Sequence, residues 1–127
     1  MKIKDYIESG LKNFVEDAPS DYKETGKCKS GCHVVSFYIK EENGKITDVK
    51  FNSSKRCKKL LAVADYVAEI IKQKGKVEFK DEEVLEFFKD EKEIEKVKDR
   101  LEIVKKALNK WVKRENGIRE NSIEVKH

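Results

Sequence analysis

Proline, methionine, tryptophan and glutamine occur once each in the 127 residues, and arginine is rare beside lysine. No stretch approaches the ~20 consecutive apolar residues of a membrane span. The opening Met1-Lys2-Ile3-Lys4-Asp5 has no apolar signal-peptide core behind it. Both absences lead us to expect a cytoplasmic protein. There is no glycine-rich phosphate loop ending in Lys-Ser/Thr, no Gly-x-Ser-x-Gly elbow and no His-Glu-x-x-His. A conventional hydrolase or transferase is thereby disfavoured, and no enzyme activity is expected. Cysteine is sparse and odd in number: Cys28, Cys32 and Cys57. In a reducing compartment, that count argues against a disulfide framework and for metal binding, thiol chemistry or plain burial.

Charge is what the chain has in abundance. Charged residues make up 43% of it, far above the roughly 25% of an average soluble domain. The Lys- and Glu-rich, amide-poor composition is a bias reported for hyperthermophile proteins. Its 29 basic residues face 25 acidic ones with the signs interleaved, for a net charge of +4. Such a surface is mildly basic. It lacks the one-sided Lys and Arg of a dedicated nucleic-acid binder. The length suits one domain over residues 1–113, followed by a loose charged tail over 114–127.

Apolar spacing then assigns the elements. Ile3, Ile7, Leu11 and Phe14 predict an amphipathic helix over 3–15, weakened by Gly10. Pro19 marks a break, and the polar stretch from Tyr22 to Gly31 reads as a loop with at most a short edge strand. Val35, Phe37 and Ile39 alternate with polar neighbours, Asn43-Gly44 marks a tight turn, and Thr47, Val49 and Phe51 alternate again. This is a β-hairpin signal with one apolar face. Ser53-Ser54 offers an N-cap for a helix over 56–73 that Gly75 ends. A short acidic helix over 81–89 follows. Asp90 and Glu93 resemble a capping box opening the last helix, where Ile94, Val97, Leu101, Val104, Leu108 and Trp111 step by three and four. Helix, strands, then only helices is the order of an α+β domain. We expect an N-terminal helix and a small antiparallel sheet, a hairpin or three-stranded meander, packed on one face by C-terminal helices.

Cys57 lies within Lys55-Arg56-Cys57-Lys58-Lys59 at the start of a predicted helix. Nearby cations and a helix N-terminus both stabilise a thiolate, the form that attacks electrophiles and binds metals. The same four cations could hold an anion or a partner. The plainer reading is a core cysteine beside a solvated lysine face. Cys28 and Cys32 flank a tight Lys-Ser-Gly turn, and a Cys-x3-Cys loop can chelate a metal. His33 is a candidate fourth ligand only if the strand begins at residue 34, since successive strand residues point to opposite faces. The hairpin should bring all three thiols to one end of the sheet, with Lys55 to Lys59 rimming the site.

Gly31-Cys32, then Val34-Val35-Ser36-Phe37-Tyr38-Ile39, then Asn43-Gly44-Lys45-Ile46-Thr47-Asp48-Val49-Lys50-Phe51, then Cys57 at a helix mouth, resembles the iron–sulfur cluster scaffold family of IscU and the amino-terminal domain of NifU. The resemblance spans roughly residues 26–112. It implies a cluster scaffold with a cysteine desulfurase and acceptor apoproteins as partners. Three departures accompany it. Cys32-His33-Val34 stands where the family has Cys-Gly-Asp, no cysteine or histidine stands near Glu95-Lys96 where the family's last helix opens with its third ligand, and cations flank Cys57. Gly31-Cys32 and Leu60-Leu61-Ala62-Val63 also resemble SufE, a sulfur acceptor of the same fold.

Three functions stay open. The first is a scaffold holding a 2Fe–2S cluster or iron, or zinc in its place, through Cys28, Cys32 and Cys57, with His33, a carboxylate or a partner as fourth ligand. The second is a sulfur relay carrying a persulfide on Cys32 or Cys57. The third is an adaptor that keeps the fold without metal and docks a partner through its basic face.

Overall fold

The computed structural model describes the backbone of residues 1–30 and 33–115, and side chains within 1–25 and 33–108. The order is α1 (Ile3–Glu8), β1 (Lys23–Ser30), β2 (His33–Glu42), β3 (Lys45–Ser53), α2 (Lys58–Lys74), α3 (Asp81–Phe87) and α4 (Ile94–Glu115). The three strands form one antiparallel sheet in the order β1-β2-β3, and helices pack against it. The α+β expectation holds, with the meander in place of the bare hairpin.

Asn43 (φ 56) and Gly44 (φ 80) both take the left-handed conformation, the turn geometry that matches the twist of paired strands. Behind it, Val35, Phe37 and Ile39 of β2 and Val49 and Phe51 of β3 are fully buried. Leu60, Ala64, Val67, Ala68 and Ile71 of α2 and Val97, Leu101, Val104 and Leu108 of α4 complete the core. Trp111 lies outside the residues whose side chains are described. At the far end of α2, Gly75 at φ 75 closes the helix, its N–H donating to the Ile71 carbonyl at 2.8 Å.

Several boundaries differ from those expected. The first helix stops at Glu8, not residue 15, because Gly10 takes φ 98 and turns the chain. Residues 13–15 then run beside β3. Phe51 donates to the Asn13 carbonyl at 2.9 Å and Val15 to the Phe51 carbonyl at 2.8 Å. The stretch expected as a loop is the eight-residue β1. It lacks apolar alternation because it is an edge strand, and a bulge places the extra residue, Thr25, in the interior. There the Thr25 hydroxyl donates to the Ala107 carbonyl of α4 at 3.2 Å. Neither Ser53 nor Ser54 caps α2. Ser54 instead bonds Val34 through its N–H (2.9 Å) and its Oγ (3.3 Å), extending the β2–β3 ladder by one residue. Asp90 does not cap α4 but takes the Met1 ammonium at 2.8 Å.

One buried carboxylate joins these pieces. Asp65 of α2 accepts from the Tyr6 hydroxyl (2.6 Å), Lys12 N (3.0 Å) and Asn13 N (2.8 Å). Burial first, and then this bond, push the Tyr6 hydroxyl well above the ordinary tyrosine range. The Tyr22 hydroxyl bonds Asp48 and is pushed up to about 12, mainly by that bond.

Two outcomes follow. Asp65→Ala leaves three donors without an acceptor, so urea unfolding should show a loss of about 3 kcal/mol or more, at 1–3 kcal/mol per unsatisfied buried group. Unchanged stability would refute the role given to Asp65. In the unfolded chain both tyrosines ionise near the ordinary tyrosine value of 10.0, while the fold retains the protons. Stability present below that pH is therefore lost as pH rises through it toward about 12 for Tyr22. Tyr22→Phe should flatten that part of the profile in urea titrations.

Candidate functional site

The register of the sheet places the chain segments that bear the cysteines. Cys28 pairs with Val35, and Val35 with Ser53, so all three strands meet in one row at this end. Four residues later Cys57 opens α2. The backbone thus brings position 28 and the approach to Cys57 to the same end of the sheet. The Cys28 side chain and all of Cys32 lie outside the described residues, so the expected meeting of three sulfurs does too. His33 is the first residue of β2, one earlier than a site shared with Cys32 requires, and it does not line the cleft described next.

Cys57 is itself the N-cap of α2, its half-buried sulfur accepting from Leu60 N at 3.4 Å. A second donor comes from α4: Arg100 Nε reaches the same sulfur at 3.1 Å. That bond is the main reason the Arg100 guanidinium is held above its ordinary range, and its other arm pairs with Asp99. Two N–H groups aimed at one sulfur, at the positive end of a 17-residue helix, form a setting suited to a nucleophilic or ligating thiolate.

The sulfur sits in a cleft of about 670 Å³ between the N-terminal residues, the start of α2 and the start of α4. Arg56, Lys58 and Lys59 line it, whereas Lys55 pairs with Glu16 at 2.7 Å and lies outside the lining. Lys96 also lines the cleft, at the place where the resemblance puts the scaffold family's third cysteine. Its carboxylates are engaged: Glu91 accepts from Ile3 N at 2.9 Å, and Glu93 is held below the usual carboxylate range, first by Lys96 and then by Lys59. No histidine among the described residues lines it. Among the described residues, no three His, Cys, Asp or Glu side chains come together as a metal site. The described part of the site therefore supplies one sulfur, that of Cys57, and no complete ligand set for iron or zinc.

Arg100 was not singled out from sequence. Its available signal was an arginine in a lysine-dominated chain, placed beside the apolar stripe of Val97, Leu101 and Val104.

No protein-family model matches the sequence, and a search of curated proteins returns no match. Among solved structures, a protein from the thermophile Fervidobacterium islandicum AW-1, described as an iron–sulfur cluster assembly scaffold for the SUF system, superposes with a TM-score of 0.53. The match covers 84% of this chain and 90% of that one at 22% identity. The two chains share a fold. At this identity the likeness supports the architecture expected from the sequence resemblance and leaves the chemistry to the site itself. Among the described residues, no helix is long and apolar enough to cross a membrane.

Arg100→Gln should slow alkylation of Cys57 by neutral iodoacetamide about tenfold, since a hydrogen bond from a charged donor is worth about 1.5–3 kcal/mol. Lys98→Gln, on the same helix but outside the cleft, should leave the rate unchanged. Equal rates in all three proteins would remove Arg100 from the site.

Proposed function

We propose that this protein is a scaffold-type component of iron–sulfur cluster assembly in which Cys57 receives sulfur. The carrying observation is the Cys57 sulfur at the mouth of α2, open to a cleft and held by Leu60 N and Arg100 Nε. The shared fold with a SUF-system scaffold supports the same reading.

The transfer is simple in its balance. The Cys57 thiolate attacks the outer sulfur of a protein persulfide, the donor's S–S bond breaks, and its electron pair leaves on the donor thiolate. Cys57 then carries the persulfide with the hydrogen that the outer sulfur brought. No oxidant or reductant enters. Arg100 and the helix N-terminus stabilise negative sulfur before and after the step. The chain acts as a carrier in this reading and turns over no substrate of its own. Its cargo, sulfur and then iron, would be shared with Cys28 and Cys32 and with a donor from a partner.

The relay side of this reading is favoured by the cations where the scaffold family carries its third cysteine. Incubation with a low-molecular-weight persulfide followed by peptide mass spectrometry should find one added sulfur on Cys57, lost in Cys57→Ser. Anaerobic reconstitution with iron and sulfide should give visible charge-transfer absorption that weakens in Cys32→Ser and Cys57→Ser. No added sulfur at Cys57 overturns the relay role, and a colourless wild-type product overturns the cluster role.

A further inference from the structure

Among the described residues, positive charge is gathered at one place. The cleft over Cys57 is lined by eight cationic side chains and two carboxylates. Its surplus of six exceeds the net charge of +4 for the whole sequence, so the rest of the molecule is net acidic. The sequence hides this because its signs interleave; folding sorts them. Lys2 and Lys4 come from the N-terminal segment, Arg56 and Lys58 from the turn into α2, and Lys92 and Lys96 from the start of α4. Of these, Lys2, Lys4, Arg56, Lys58 and Lys92 have no described carboxylate within ion-pairing distance, and the two carboxylates inside are already bonded. Holding so many like charges together is unfavourable unless something negative enters.

We propose that the cleft is a docking groove for an acidic peptide segment, a run of Asp and Glu on the protein that supplies sulfur to Cys57. The identity of that partner rests on the proposed function; the groove's preference for acidic peptide does not. Its volume of about 670 Å³ is within the 300–1,000 Å³ range of ligand sites, and its cations come from three separate segments, as an extended chain would need. A nucleic acid fits less well. Among the described residues no aromatic side chain lines the cleft for a base to stack on, and most of its cations are lysines rather than the bidentate arginines that suit phosphate. An acidic segment seated here would neutralise the lysines and bring its own protein up to the Cys57 sulfur.

The test uses the full chain and a fluorescein-labelled oligoglutamate peptide, with an oligothymidylate of equal charge as comparison, followed by anisotropy. The peptide should bind more tightly than the oligonucleotide and lose affinity as salt rises. It should also slow alkylation of Cys57 by neutral iodoacetamide. Arg56→Glu/Lys58→Glu should weaken peptide binding about tenfold or more, as expected for reversing two charges at a complementary interface. Lys76→Glu/Lys106→Glu, the same change in net charge at exposed positions outside the cleft, should stay within about twofold of wild type on the same reasoning. Equal weakening by both pairs, tighter binding of the oligonucleotide, or unprotected Cys57 in the peptide complex would each overturn the groove. None of these readouts involves sulfur transfer. A protein that binds the peptide yet takes up no sulfur would fail the proposed function and keep this one.

Discussion

The buried carboxylate of Asp65 is the interaction on which the arrangement of this fold turns. It sits on α2, the helix that packs against sheet, α1, α3 and α4, and accepts three hydrogen bonds from the first thirteen residues. A charge taken out of water is costly unless its lone pairs are satisfied, so this carboxylate admits only chain paths that bring donors to it. The path found bends at Gly10 and lays Asn13 to Val15 along β3. It also fixes α1, and through it the N-terminal lysines that wall the Cys57 cleft. A residue deep in the interior thereby bears on the composition of a surface site.

Much of the fold was legible in the sequence because its signals are local. The Asn43-Gly44 turn needs two left-handed residues, and the alternation around it has the period of a strand. Both long helices announce themselves by steps of three and four. The errors have a common cause: each involved a partner far along the chain. Ile7, Leu11 and Phe14 keep helical spacing, but Asp65, more than fifty residues away, claims the backbone donors of Lys12 and Asn13. Ser54 could cap a helix by type, yet Val34 across the ladder takes it. Position 57 was legible as a candidate site because its cations and helix start are neighbours in sequence. Arg100 and the N-terminal lysines were not, since only the packing of α4 and α1 against α2 brings them there.

Capping by cysteine gives the site its character. A serine or aspartate at the head of α2 would satisfy the Leu60 amide better than sulfur does. The SUF-system scaffold from Fervidobacterium islandicum shares the architecture. In this chain the wall opposite the helix mouth is Lys96 and Arg100, groups that hold negative charge and do not ligate metal.

The strip of chain that Gly10 turns back has a separate effect on how molecules could stack. A strand at the border of a sheet is a template for another chain. Here Asn13 and Val15 already occupy the border of β3, and Asn52 Nδ2 takes the Val15 carbonyl at 2.6 Å. β1 is the border strand on the other side. At Phe51, therefore, a second chain finds neither a free amide nor a free carbonyl through which to extend the ladder from the β3 side.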